Sequence, residues 1–460
     1  LPLMIESMIP RLARGVIVGL CLCAGAVGIA GGAPATAAEK LPALKLIELA
    51  GQDVNAPAFR EALVATLGEE RIRKGTAVIA QGADFLFAVE SEAPPTLFVD
   101  DAERPAMQRI RDTNLWVARD KLRTGWSHRF HYMAGGNRLG GGMDVPAYGP
   151  DSYQQPGVQE GTLSPMLVHT SKIYDGMESN YWVYVPAQYN AQTPAAVMVW
   201  QDGGGHIDRN GGARTLNVID NLTHQKKIPV MIQVFIQPGD INKAVGTPTH
   251  EFVSNFSKRT GRTLRDSMRS TQYDTVTDRY ARYLRDEILA EVGAKYSLRK
   301  DGYSRGIAGD SSGAIAAFNA AWQQPELFSR VLSRIGTYTS IQWQPGVLDG
   351  GNIFPFAVRK EPKRNIRVWL SDGSEDLEND HGSWPLQNIQ MANSLKMREY
   401  DYYFRFGNAA HNGAQGAAEA PEALAWLWRD YDPAKTEQTY VMDPAEKTKP
   451  YYRVQISNRE

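Results

Sequence analysis

Cysteine is nearly missing from this 460-residue chain: there are two, Cys21 and Cys23, both in an apolar stretch close to its beginning. The other residues therefore have neither a disulfide framework nor a thiol nucleophile. Covalent chemistry among them has to come from a hydroxyl, a carboxylate or a lysine. An excess of charge is missing as well. Lys and Arg number 50 against 51 Asp and Glu, a net charge of -1, and no basic block or stripe stands out, so no nucleic-acid partner is expected. The eight histidines form no His-Glu-x-x-His, and His128 and His131 on one strand-like run would point to opposite faces, so no metal is expected. The three glycines at 203–205 lack the Lys-Ser/Thr that completes a phosphate-binding loop. No internal repeat is present, and no cofactor is expected.

From Met8 the chain reads "MIPRLARGVIVGLCLCAGAVGIAGGAPATAAEK". Two arginines, an apolar run from Val16 to about Ala30 and the small residues "APATAA" have the layout of a secretory signal, with cleavage expected after Ala37 or Ala38. Left uncleaved, the same run would be a membrane anchor. Leu20 is bulky where a lipoprotein signal needs a small residue before Cys21. Removal of Glu6, Arg11 and Arg14 would change the net charge from -1 to -2. The expectation is an exported protein, periplasmic or secreted, meeting a membrane only if the segment stays.

After this leader (1–38) the chain has two rhythms. Residues 39–143 begin with one expected helix, "NAPAFREALVATLGEERIRKG", in which Phe59, Leu63, Val64 and Leu67 share a face. Short alternating runs follow, "DFLFAVE", "PTLFVDD", "NLWVARD" and "WSHRFHYM", separated by Pro or Gly clusters. They predict a small antiparallel β-sandwich. Residues 144–164, rich in Pro, Gly and polar groups, read as a linker. Over 165–435, strand-like "YWVYVP", "AAVMVW", "VMIQVFI", "RGIAG", "RVLSRIG" and "IRVWLSDG" alternate with helical stretches, which predicts a doubly wound, mostly parallel α/β sheet. Residues 436–460 form a tail. Ligands of such sheets bind at the carboxyl ends of the strands, so functional residues are sought there.

Gly309-Asp310-Ser311-Ser312-Gly313 fits G-x-S-x-G, between a strand-like run and a helix-like one. A nucleophile on so sharp a turn needs small neighbours two residues either side, which selects Ser311 over Ser312. The chain order Ser, acid, His leaves only His381 and His411 as the base. His411, in the small-residue loop "FGNAAHNGAQGAAE", is the first choice. The acid belongs to "SDGSEDLEND", with Asp376 first and Glu375 second. Backbone N–H groups of Ser312 and of Gly203 or Gly204, after the strand "AAVMVW", are the candidate oxyanion donors. His206, Trp200 and Trp384 are candidate substrate contacts, and Trp343 is a further aromatic for stacking.

Taken together, "YWVYVPAQYN", "VMVWQDGGGH", "VIDNL", "RYARYLRDEILAEV", "IAGDSSGAIAAF", "SDGSEDLEND", "WPLQNIQMANSL" and "EALAWLWRDY" resemble the esterase D and enterochelin-esterase-like branch of the α/β-hydrolases, which includes feruloyl and acetylxylan esterases. The resemblance covers about residues 165–432. It implies an α/β-hydrolase fold with nucleophile Ser311, acid Asp376, base His411 and oxyanion donors at Ser312 and near Gly203. The N-terminal sandwich resembles the immunoglobulin-like or glycogen-binding-type module often fused ahead of such esterases. The chain departs from the family at Ala314, where many relatives have Gly, at "GNAAH", and in a long "TSIQWQPGVLDGGN".

The expected activity is that of an exported serine carboxylic-ester hydrolase, on a siderophore-type or a feruloyl or acetyl polysaccharide-type ester. The alternatives are an acyltransferase using the same triad and a binding protein on an inactive hydrolase scaffold. The oligomeric state is not legible in the sequence.

Overall fold

The computed structural model describes residues 40–241 and 268–452; the leader expected over 1–38 lies outside them. The first half is a sandwich of two four-stranded antiparallel sheets. The strands are β1 (Ala77–Gln81), β2 (Asp84–Glu90), β3 (Thr96–Val99), β4 (Ala102–Glu103), β5 (Gln108–Arg109), β6 (Leu115–Lys121), β7 (Trp126–Ala134) and β8 (Asn137–Ala147). They run β1-β2-β6-β5 in one sheet and β4-β3-β7-β8 in the other. Phe85, Phe87 and Val89 of β2 point into the space between the sheets, against Phe130 and Tyr132. The alternate residues Leu86 and Ala88 are buried too, because a layer of three helices covers the outer face. Those helices are Ala43–Gln52, Pro57–Leu67 and Glu69–Arg73. The single helix expected over this stretch is broken at Gly68, whose φ of 84° belongs to the left-handed region that glycine tolerates.

β8 runs through Ala147, so strand pairing continues into residues read as linker. The chain then clasps the second half. The Arg214 guanidinium lies 4.5 Å from the Tyr148 ring centre and 4.6 Å from that of Tyr153.

The second half is built on a ten-stranded sheet. Its strands are β9 (Thr162–Leu163), β10 (Leu167–Thr170), β11 (Met177–Val185), β12 (Ala196–Gln201), β13 (Met231–Ile236), β14 (Asp240–Ile241), β15 (Arg305–Asp310), β16 (Arg330–Arg334), β17 (Arg367–Glu375) and, after a small hairpin, β18 (Asp401–Ala410). Six of them, β13-β12-β15-β16-β17-β18, pair in parallel; β11 and β10 add antiparallel neighbours at one side. Every residue of β12 is buried. Val197 and Val199 face one apolar core and Met198 and Trp200 the other, the two-sided burial of a parallel sheet covered on both faces. Helices Ser312–Gln323 and Trp384–Met397 fill the first core, and Thr215–His224 and Ala414–Leu427 the second. Four of the parallel strands deliver Asp202, Ser311, Asp376 and His411 at their carboxyl ends.

Candidate active site

Ser311 sits between β15 and the helix Ser312–Gln323, with φ 57° and ψ -122°. A non-glycine residue pays for that conformation, and its surroundings impose it: Ser311 N–H donates to Arg334 O at 3.0 Å and Thr337 N–H to Ser311 O at 3.2 Å. A Cβ on Gly309 would overlap the backbone of Gly313, so the turn closes only with glycine there. Asp310, just before the serine, is pinned by Arg334 Nε at 2.5 Å.

The Ser311 hydroxyl meets His411 Nε2 at 2.7 Å, and His411 Nδ1 meets Asp376 Oδ1 at 2.5 Å. Asp376 Oδ1 also accepts from Leu377 N–H at 2.5 Å. The Asp376 side chain is fully buried and the imidazole one-fifth exposed. Glu375, the neighbouring candidate, turns away to Arg129 Nη1 at 2.8 Å. His381 is exposed, and its carbonyl accepts from Ser340.

Three further residues surround this arrangement; of these only Asp372 lies in a stretch the sequence singles out, as one of several acids in "SDGSEDLEND". Thr337 Oγ1 lies 3.2 Å from Ser311 Oγ and accepts from Trp384 Nε1 at 3.2 Å. Asp372 is buried beside Asp376, and Oδ2 of each carboxyl is buried without a hydrogen-bond partner among the described residues. Burial first, and the adjacent Asp376 second, push the Asp372 carboxyl well above the usual carboxylate range. The protonated form, which can donate to Asp376, is therefore favoured. Asp274, fully buried beside Ser312, accepts from Ser270 Oγ at 2.8 Å. Burial pushes it up to about 6, partly offset by hydrogen bonds from Ser270 and Ser312.

Gly203–Gly205 form a single 3₁₀ turn after β12. A side chain on Gly203 would strike Phe235 and Ile236, and one on Gly313 would meet Gln201 and Asp202. The glycine turn thus abuts the start of the serine helix, where Ser312 N–H has no intrahelical acceptor.

The substrate contacts expected of Trp200 and His206 are corrected by burial. Trp200 is 1% exposed and donates Nε1–H to Gln233 Oε1 at 2.8 Å within the core. His206 packs 4.9 Å from that indole and bonds Thr215 Oγ1 at 2.7 Å. Burial pushes its imidazole down to about 3, so it stays neutral. Trp384, 2% exposed, stands edge-on to His411 at 5.6 Å; it braces that imidazole and offers no face for stacking. Trp343 is half-exposed.

Comparison with known proteins gives the same class of fold. The family model Esterase matches residues 175–419, more than half of the chain. A search among curated proteins gives no match. Among solved structures, the enterobactin esterase FES from Shigella flexneri, in the presence of enterobactin, is 14% identical, with a TM-score of 0.49 over 79% of this chain and 98% of that one. A CE1 ferulic acid esterase from Anaeromyces mucronatus, in complex with ferulic acid, is 17% identical, with a TM-score of 0.43 over 61% of this chain and 96% of that one.

Proposed function

The chain belongs to the Esterase family and is a carboxylic-ester hydrolase, and we propose that it works through an acyl-enzyme on Ser311 and is exported. The observation that supports this reading is the continuous hydrogen-bond chain from Ser311 Oγ through His411 to Asp376, at 2.7 and 2.5 Å.

In the proposed reaction His411 Nε2 takes the Ser311 proton as Oγ attacks the ester carbonyl. Asp376 holds the other ring nitrogen and stabilises the imidazolium. Ser312 N–H and Gly203 N–H receive the oxyanion. The imidazolium then returns its proton to the departing alcohol oxygen, leaving the acyl group on Ser311. Water, deprotonated by His411, attacks that acyl group, and collapse of the second oxyanion frees the carboxylic acid and restores the serine.

The substrate class is an ester of the siderophore type or the feruloyl or acetyl polysaccharide type, in keeping with the motifs over residues 165–432. Export rests on the leader pattern from Met8 to Ala38. The N-terminal sandwich is read as an immunoglobulin-like module on its two facing antiparallel sheets.

Ser311→Ala is expected to fold normally and to lose nearly all turnover of a p-nitrophenyl ester; substantial residual activity rules out the serine. A hydrolysis panel of siderophore trilactones, feruloylated and acetylated polysaccharides and simple aryl esters assigns the substrate class. A mature N terminus at residue 38 or 39 is the result expected of export.

A further inference from the structure

The loop that carries His411 is fastened from outside the hydrolase half. Asp144, on β8 of the sandwich, accepts from Ala410 N–H through both carboxylate oxygens, at 3.1 and 3.2 Å. It also accepts from the Asn412 side-chain amide. These two residues stand directly before and after His411. Asn412 Oδ1 in turn accepts from Ala414 N–H at 2.9 Å, at the start of the following helix.

The placement of Asp144 is costly for the sandwich. Between the pairs His128↔Val145 and Phe130↔Gly142, β8 carries one residue more than β7, a bulge. Asp144 sits in that bulge with φ 56° and is 8% exposed. Among the described residues its side-chain hydrogen-bond partners are all neutral donors, and of these only the Ser127 hydroxyl, at 3.3 Å, belongs to its own domain. A buried carboxylate on a strained bulge, aimed at two residues some 270 positions away, gains its partners from the histidine loop and hardly at all from its own sheet.

The surrounding contacts have the same direction. Gln415 Oε1 accepts from Ser127 N–H at 2.8 Å. Asn408 Nδ2 donates to Asp100 at 3.0 Å, and Arg129 holds Glu375, next to the triad acid.

We propose that Asp144 is a positioning residue for the hydrolysis: the sandwich fixes the His411 loop, and with it the distance from His411 to Ser311. The proposal rests on the Ser311–His411–Asp376 reading above.

The test is a double-mutant cycle of Asp144→Ala and Asn412→Ala in the full chain, with kcat, KM and Tm measured on p-nitrophenyl acetate, beside Ser311→Ala. Asp144→Ala is expected to lower kcat about ten- to a hundredfold, with KM within about twofold and a cooperative melt retained. Asn412→Ala should cost less, and little more once Asp144 is gone, since both act through one contact. Unchanged kcat in folded Asp144→Ala overturns the proposal, as does a pair of losses that simply add. Should Asp144→Ala not fold, Asn412→Ala decides, because it leaves the sandwich untouched: lowered kcat at constant KM supports the proposal and unchanged kcat overturns it. An inactive Ser311→Ala beside a fully active Asp144→Ala removes the positioning role alone, whereas an active Ser311→Ala removes the triad as well.

Discussion

The indole of Trp384 stands edge-on to the His411 imidazole, 5.6 Å between ring centres at 77°, and the same indole donates to the Thr337 hydroxyl that touches Ser311 Oγ. One buried side chain thus braces both the base and the nucleophile. Trp384→Phe keeps most of the packing and loses the donor. It is expected to lower kcat several-fold with little change in KM, and Thr337→Val to move kcat the same way. Trp384→Ala should also destabilise the fold by about 3–5 kcal/mol, read by denaturant unfolding.

The two candidate acids separate cleanly by substitution. Asp376→Asn leaves a side chain that no longer favours the required His411 tautomer, and kcat/KM should fall by about a thousandfold or more. Glu375→Gln breaks a partly exposed pair with Arg129, worth about 1 kcal/mol or less, and should keep activity within a few-fold.

Asp372 gives a prediction in pH. Burial and the adjacent Asp376 favour its protonated form, which can donate to Asp376 and so temper that residue's charge. Asp372→Asn retains a donor, so the acid limb of the kcat/KM profile should stay where it is. Asp372→Ala removes the donor, leaves Asp376 with its full charge and raises the basicity of His411. The acid limb should then move to higher pH. Equal profiles for the alanine and asparagine variants would defeat this assignment.

Asp274 affects stability. Its pKa is raised by folding, to about 6, so the native state holds the proton more tightly than the unfolded chain. Its contribution is present at low pH and lost as pH rises toward and through 6. Asp274→Asn cannot ionise. Its Tm should match that of the wild type near pH 4 and exceed it above pH 6, by an amount corresponding to on the order of 2 kcal/mol. A gap that stays constant across this range would show that Asp274 is not the titrating group.

What the sequence disclosed was local. The turn at Ser311 is written in five consecutive residues, and the order of Ser311, Asp376 and His411 along the chain follows from alternating strands and helices. Tertiary contacts were illegible. Asp376 and Glu375 are adjacent acids on one loop, and only the position of β18 beside β17 decides which faces the imidazole. His206 follows three glycines, which reads as an open loop; its burial comes from Trp200 and Phe235. Thr337 and Asp144 join the site across distances in the chain that no periodicity marks, and nothing in "SDGSEDLEND" tells that Asp372 lies buried beside Asp376. One signal was present and unused: five successive apolar residues, Phe85 to Val89, are too many for a strand with a wet face. They announced the helices that cover the sandwich.

The bulge at Asp144 has a consequence for how such a chain is inherited. A recombination crossover anywhere between Ala147 and Pro165 would pass on the entire hydrolase motif set unaltered. It would also substitute a foreign partner for the carboxylate that grips Ala410 and Asn412. Descendants of such an exchange would keep every catalytic letter and, on the proposed role of Asp144, are expected to turn over more slowly.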